Sequence, residues 1–308
     1  MKKFFLISCT IFFYTLSGSS QSADKFVPLF NGKDLSNWTL QKTGGFEVTD
    51  GEMVSRSSGA GTDIYSKESF GNFILRLEFF LSEVGNSGVF IRTDPAIPAS
   101  GFEVQLLAPW TPYRDDLHCT GSMYGHVAVT NRPDETTGKW YKMEIRCDRN
   151  IVTVSIDGKV TTMANTDTVK TMAGKPFSGL VGFQGNHSTK GQYVKLRNIQ
   201  ICDLDAEPEY VLKGFSQKND ELRVQAHSAA SDLGAQMLDP LAGMMAQPDP
   251  VISAGAKQAL FDIVAKASAP DATVESKKEV SAGIKRTIKN SSSDIVKNYL
   301  KWLSGMVE

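Results

Sequence analysis

Cysteine and histidine are scarce in this chain, charge of either sign is in balance, and beyond the first residues no apolar run approaches the length of a membrane span. Each shortage excludes something. Four cysteines stand in 308 residues. Setting aside Cys9 near the start leaves Cys119, Cys147 and Cys202, an odd, widely spread set that makes no disulfide framework. An oxidising compartment could draw at most one bridge and one free thiol from them. Cys147 follows Met143 and Ile145 on one strand face and reads as a small core residue. Lys and Arg number 33 against 34 Asp and Glu, for a formal net charge of −1, which removes the electrostatic case for nucleic acid or an anionic membrane surface. The four histidines form no paired ligand motif. No phosphate loop, dinucleotide fingerprint or nucleophile elbow is present. His118 and His126, with Cys119, Asp115 and Asp116 close by, could surround a hard divalent cation, but such polar loops are usually solvated. No other cofactor is expected.

The start of the chain, "MKKFFLISCTIFFYTLSGSSQSA", sets two lysines before a short apolar run and a small-residue exit. Residues 1–23 therefore read as a cleaved signal peptide, and the protein as secreted or periplasmic.

Residues 24–205 read as β throughout. "FILRLEFFL" places Phe73, Leu75, Leu77, Phe79 and Leu81 on one face, "YKMEIRC" and "IVTVSI" add strands, and Asp157-Gly158 is a hairpin turn signal. Many short strands punctuated by Gly, Asn and Asp predict a sandwich of two antiparallel sheets. Residues 206–308 change period. Asp249-Pro250 opens a helix carrying Ile252, Ala256, Leu260, Ile263, Val264 and Ala267. A second helix carries Ile295, Val296, Tyr299, Leu300, Leu303 and Met306, and a more polar one lies between them. This tail reads as a small all-α domain, with one stretch similar to a HEAT-type repeat.

The strand "GFEVQLLAPW" presents Glu103 and Gln105 on its polar face. Around it stand "LFNGKDLSNW", "NSGVFIRTD", "TGSMYG", "GKWYKMEI" and "KLRNIQI". In this order the motifs resemble the 3-keto-disaccharide hydrolase domain, over residues 26–204. The resemblance implies a concanavalin A-like jelly roll, and cleavage of glycosides whose C3 hydroxyl has been oxidised to a ketone. Laminarinase-like enzymes carry acids on the corresponding strand as E-x-D-x-x-E; here those positions hold Glu103, Gln105 and Ala108. A strand with one carboxylate cannot supply the acid pair of ordinary glycoside hydrolysis. A 3-keto sugar removes that need, because the ketone acidifies the C2 proton and a single base can start a β-elimination.

On that scheme Glu103 is the base and Gln105 orients the sugar hydroxyls. Arg92 would hold the ketone oxygen, unless it is a structural ion pair at a strand end. His187 is the second base candidate, in "GFQGNHSTKG", where two residues separate it from Gln184; the family spaces this Gln and His by one. Tyr124 is a proton donor or sugar contact, His126 a weaker contact, and Trp110 an indole that could stack on a sugar ring. The partners implied are a carbohydrate substrate and an upstream sugar 3-dehydrogenase. Two other readings stand beside this one: a non-catalytic carbohydrate-binding module of lectin-like sandwich fold, and an interaction protein whose helical tail docks a protein partner.

Overall fold

The computed structural model describes residues 25–56, 62–111, 114–189 and 191–307. The expected signal peptide lies outside them. Two antiparallel sheets form the sandwich. In chain order the strands are β1 (Val27–Pro28), β2 (Trp38–Leu40), β3 (Glu47–Thr49), β4 (Glu52–Arg56), β5 (Ile64–Phe70), β6 (Phe73–Leu81), β7 (Asn86–Thr93), β8 (Phe102–Leu107), β9 (Trp140–Asp148), β10 (Ile151–Ile156), β11 (Lys159–Asn165), β12 (Gly179–Phe183) and β13 (Tyr193–Asp203). The larger sheet runs β11-β10-β9-β6-β13-β4-β3, with β1 also on β13; the smaller runs β2-β5-β12-β7-β8.

Alternation decides which face is buried. Phe73, Leu75, Leu77 and Phe79 of β6 point into the core, where they belong to one cluster with Val89, Ile91, Val104 and Leu106 of the smaller sheet. Burying one such side chain contributes roughly 1.5–3 kcal/mol. Arg76 on the opposite face of β6 pairs in water with Glu144 of β9 at 2.7 Å. Asp157 and Gly158 join β10 to β11 with φ of 48° and 77°, the left-handed pair that a two-residue hairpin needs. Cys119, Cys147 and Cys202 are all buried, and none of them forms a disulfide among the described residues.

Six helices follow: α1 (Pro208–Gly214), α2 (Asp220–Leu233), α3 (Leu238–Met245), α4 (Pro250–Ala267), α5 (Val274–Asn290) and α6 (Asp294–Val307). Asp249 caps α4 through its side chain, accepting from Val251 N at 2.8 Å and Ile252 N at 3.1 Å. The helices enclose their own core, including Leu238, Leu260, Ile284 and Leu300. Ile295, expected on the apolar stripe of α6, is exposed in its first turn instead. Helix α1 ties the bundle to the sandwich. The Tyr210 hydroxyl donates to Asp148 at 2.8 Å, and the Arg149 guanidinium lies 4.2 Å over the Tyr210 ring.

Candidate active site

The inner face of the smaller sheet is sealed against the larger one; its outer face carries the polar residues. Register brings them together. Phe90 of β7 stands opposite Glu103 of β8, and Gly88 opposite Gln105. Gly182 of β12 is paired with both Phe90 and Tyr65. Having no side chain, it lets the Tyr65 and Phe90 rings close over it and stack at 5.8 Å. These rings and Glu103 line a cavity of about 420 Å³ that Asp63 also reaches. Tyr124, His126 and Lys175 stand on its walls, together with the loop from Asp94 to Gly101. Lys175 fixes that loop by donating to Ala99 O and Gly101 O, each at 2.6 Å.

Two carboxylates therefore share the site, in unlike surroundings. Asp63 is well hydrogen-bonded, accepting from Gly185 N at 2.9 Å and from the Tyr65 hydroxyl at 3.3 Å. Glu103 is pushed up from its ordinary 4.5 to about 7, first by burial and then by the charge of Asp63. Its polar neighbour is Gln105, whose amide nitrogen, turned to satisfy both its ends, donates to Glu103 Oε1 at 3.2 Å and to Ser87 O at 2.9 Å. A carboxyl poised near neutrality and open to a cavity has the properties of a general base or acid. Burial also raises the Tyr65 phenol, with Asp63 adding to the effect. Burial lowers His126, helped by the Lys175 charge, and burial lowers Lys175 itself.

The expected site residues divide. Glu103, Tyr124 and His126 line the cavity, and Gln105 braces Glu103 from the side. Gln184 lies on the same face, its backbone N–H donating to Gly88 O at 2.9 Å and its Oε1 buried without a hydrogen-bond partner. Arg92 is a correction: it is fully buried and does not line the cavity. Between its pairings with β12, β7 holds one residue more than its partner, and Arg92 sits at that bulge with φ 52°. Its side chain turns inward, donating from Nε to Gly71 O at 2.9 Å and lying 5.7 Å from the Phe177 ring. In this position its guanidinium does not reach the cavity. Trp110 is 72% exposed, as a stacking platform would be, but does not line this cavity. His187 also stands outside the lining; it is exposed, with Nε2 2.9 Å from Asn86 Nδ2.

Sequence reasoning missed Asp63, Tyr65 and Lys175. The first two carried a signal: they alternate in "TDIYSK" with the period that singles out Glu103 and Gln105. Lys175, in the segment before β12, carried none. Among the described residues no group of three or more His, Cys, Asp or Glu is arranged to hold a metal. Of the donors weighed for a cation, His118 and Asp115 pair with each other at 2.7 Å, and Asp116 pairs with Arg132.

Comparison with known proteins adds an independent line. A family profile described as the 3-keto-alpha-glucoside-1,2-lyase-like domain matches residues 25–202. A solved structure from Parabacteroides distasonis, described provisionally as a glycosyl hydrolase, is 25% identical at a TM-score of 0.50, covering 57% of this chain and 98% of its own. A second one from that organism, with the same provisional description, is 22% identical at a TM-score of 0.51, covering 59% and 95%; at that identity the likeness concerns the fold. A carbohydrate-binding module from Bacillus subtilis is 15% identical at a TM-score of 0.39, over 54% of this chain and 94% of its own. No curated protein matches the chain.

Proposed function

Since the chain belongs to the 3-keto-alpha-glucoside-1,2-lyase-like domain family, with the match covering more than half of its length, we propose that it cleaves 3-keto-glycosides by C2 proton abstraction and β-elimination. The observation that carries this reading is Glu103, desolvated, held near neutrality and opening into the cavity. Its carboxylate takes the C2 proton, and the electrons of that C–H bond form the enolate of the C3 ketone. The enolate then collapses, breaking the bond from C1 to the glycosidic oxygen and leaving an enone. Tyr124 or His126 supplies the proton to the departing oxygen. Water can later add across the enone to give the hydrolysed sugar.

Charge that develops on the C3 oxygen needs a donor or a cation in a water-poor site. With Arg92 turned into the core, that part falls to Lys175 on the cavity wall, whose ammonium keeps a third N–H beyond those given to Ala99 O and Gly101 O. The sequence holds no nucleotide-binding fingerprint, so the oxidation that makes the ketone belongs to a separate dehydrogenase.

Asp63 supports a second reading, in which it joins Glu103 as the acid pair of ordinary glycoside hydrolysis. Against that pairing, the Asp63 oxygens are already engaged by Gly185 N and Tyr65. Incubation with a 3-keto disaccharide and its unoxidised parent, side by side, separates the two.

A further inference from the structure

Two side-chain amides, those of Gln105 and Asn86, lie between the Glu103 carboxylate and His187 outside the cavity. Gln105, only 3% exposed, has its nitrogen claimed by both Glu103 Oε1 and Ser87 O. Its oxygen must then face Asn86, whose nearer side-chain atom lies 3.4 Å from the Gln105 amide. An oxygen at that place calls for the Asn86 nitrogen, which turns the Asn86 oxygen toward His187 Nε2 across 2.9 Å. The chain closes only if His187 Nε2 carries a proton. Nδ1 faces Gly185 O at 3.3 Å. The backbone holds the spacing: His187 N donates to Asn86 O at 3.3 Å, and Asn86 N to Asn186 Oδ1 at 3.0 Å.

Resting on Glu103 as the base, we infer that His187 is a positioning residue that acts through Asn86 and Gln105. Its Nε2–H sets both amides in the one orientation that ends in an N–H donated to Glu103, holding the ionised carboxylate over Gly88. A hydrogen bond to the charged form of an acid favours that form, whereas an amide oxygen turned toward it disfavours it. The relay therefore opposes the burial and the Asp63 charge that hold Glu103 protonated. The other titratable groups on the cavity, Tyr65, Asp94, Tyr124, His126 and Lys175, lie off this chain of amides.

The test is a carbon-13 NMR titration of the Glu103 carboxyl in the full chain, with the resonance assigned by its loss in Glu103→Gln. His187→Ala and Asn86→Ala should each raise the titration midpoint by about one pH unit. His187→Gln, which returns an N–H near the place of Nε2, should restore the wild-type midpoint. On a 3-keto-glucoside, the acid limb of kcat/KM should move upward with the NMR midpoint. An unmoved midpoint in either folded alanine variant overturns the relay, as does a His187→Gln midpoint as high as that of His187→Ala. The titration needs no turnover. A protein that shows the shifts but cleaves no 3-keto-glycoside keeps the relay and loses the proposed reaction, and cleavage without the shifts does the reverse.

Discussion

Gly88 is the seat of the Glu103 carboxylate: a Cβ added at position 88 would overlap Glu103 Oε1, Cδ and Cγ. The two residues are not direct partners; Gly88 pairs with Gln105, and Glu103 reaches it diagonally from beside Phe90. Gly88→Ala should push the carboxylate aside without unfolding the sheet, because the obstructed group ends a flexible side chain. We expect a tenfold to hundredfold loss of turnover, roughly the cost of misplacing a reacting group by an ångström. Thermal unfolding should stay near the wild-type value. Full activity in this variant would mean the carboxylate does not work from this seat.

Glu103 should also make the protein less stable as pH rises. Its folded-state pKa stands near 7, above the ordinary 4.5. Between those values the folded protein keeps a proton that the unfolded chain has lost, so stability falls as pH climbs through this window. With allowance for solvent screening at the cavity mouth, the cost above pH 7 is about 1–3 kcal/mol. Glu103→Gln should melt close to wild type at pH 4.5 and clearly higher at pH 8. Parallel melting curves for the two proteins across that range would contradict the placement of the carboxylate.

Lys175 joins the cavity wall to the chemistry. Replacing it with Met removes two hydrogen bonds to the loop carbonyls of Ala99 and Gly101 and the cation nearest His126. KM should rise and kcat fall, each by about tenfold, as expected when a charge-assisted contact and its positioning role are lost together. Unchanged steady-state constants would show that Lys175 does not hold the C3 oxygen.

Every residue lining the cavity precedes β12, so the helices add nothing to its walls. A chain ending at Asp205 should keep its activity. It should also lose stability, because removing Tyr210 uncovers Ile74, Cys202 and Leu204 and takes the hydroxyl from Asp148. Turnover assays and melting curves on the shortened chain check both halves; loss of turnover in a folded protein would show that the helices act on the site.

The parts of this protein legible in its sequence are those set by local periodicity. Phe73, Leu75 and Leu77 announce a strand with one buried face, and Asp249-Pro250 announces a helix start, because each signal is complete within a few residues. Glu103 was legible for the same reason. Asp63 shows the same alternation, but only the strand order β5-β12-β7-β8 carries it to the same cavity, and that order is a long-range property. Arg92 misled for a different reason. Simple alternation would set it on the outer face with Phe90, and the bulge that turns it inward has no mark in "GVFIRTD".

The central claim is that a ketone at C3 supplies the acidity for which ordinary glycosidases use a second carboxyl group. Its most direct test is turnover of a 3-keto-glucoside and of its unoxidised parent under identical conditions, with wild type and Glu103→Gln. The account predicts cleavage of the ketone alone, a loss of roughly a hundredfold to ten-thousandfold in Glu103→Gln, and a primary isotope effect from deuterium at C2 when chemistry limits the rate. Equal cleavage of the parent would contradict it and favour the Asp63 and Glu103 acid pair; binding of both sugars with cleavage of neither would leave a lectin.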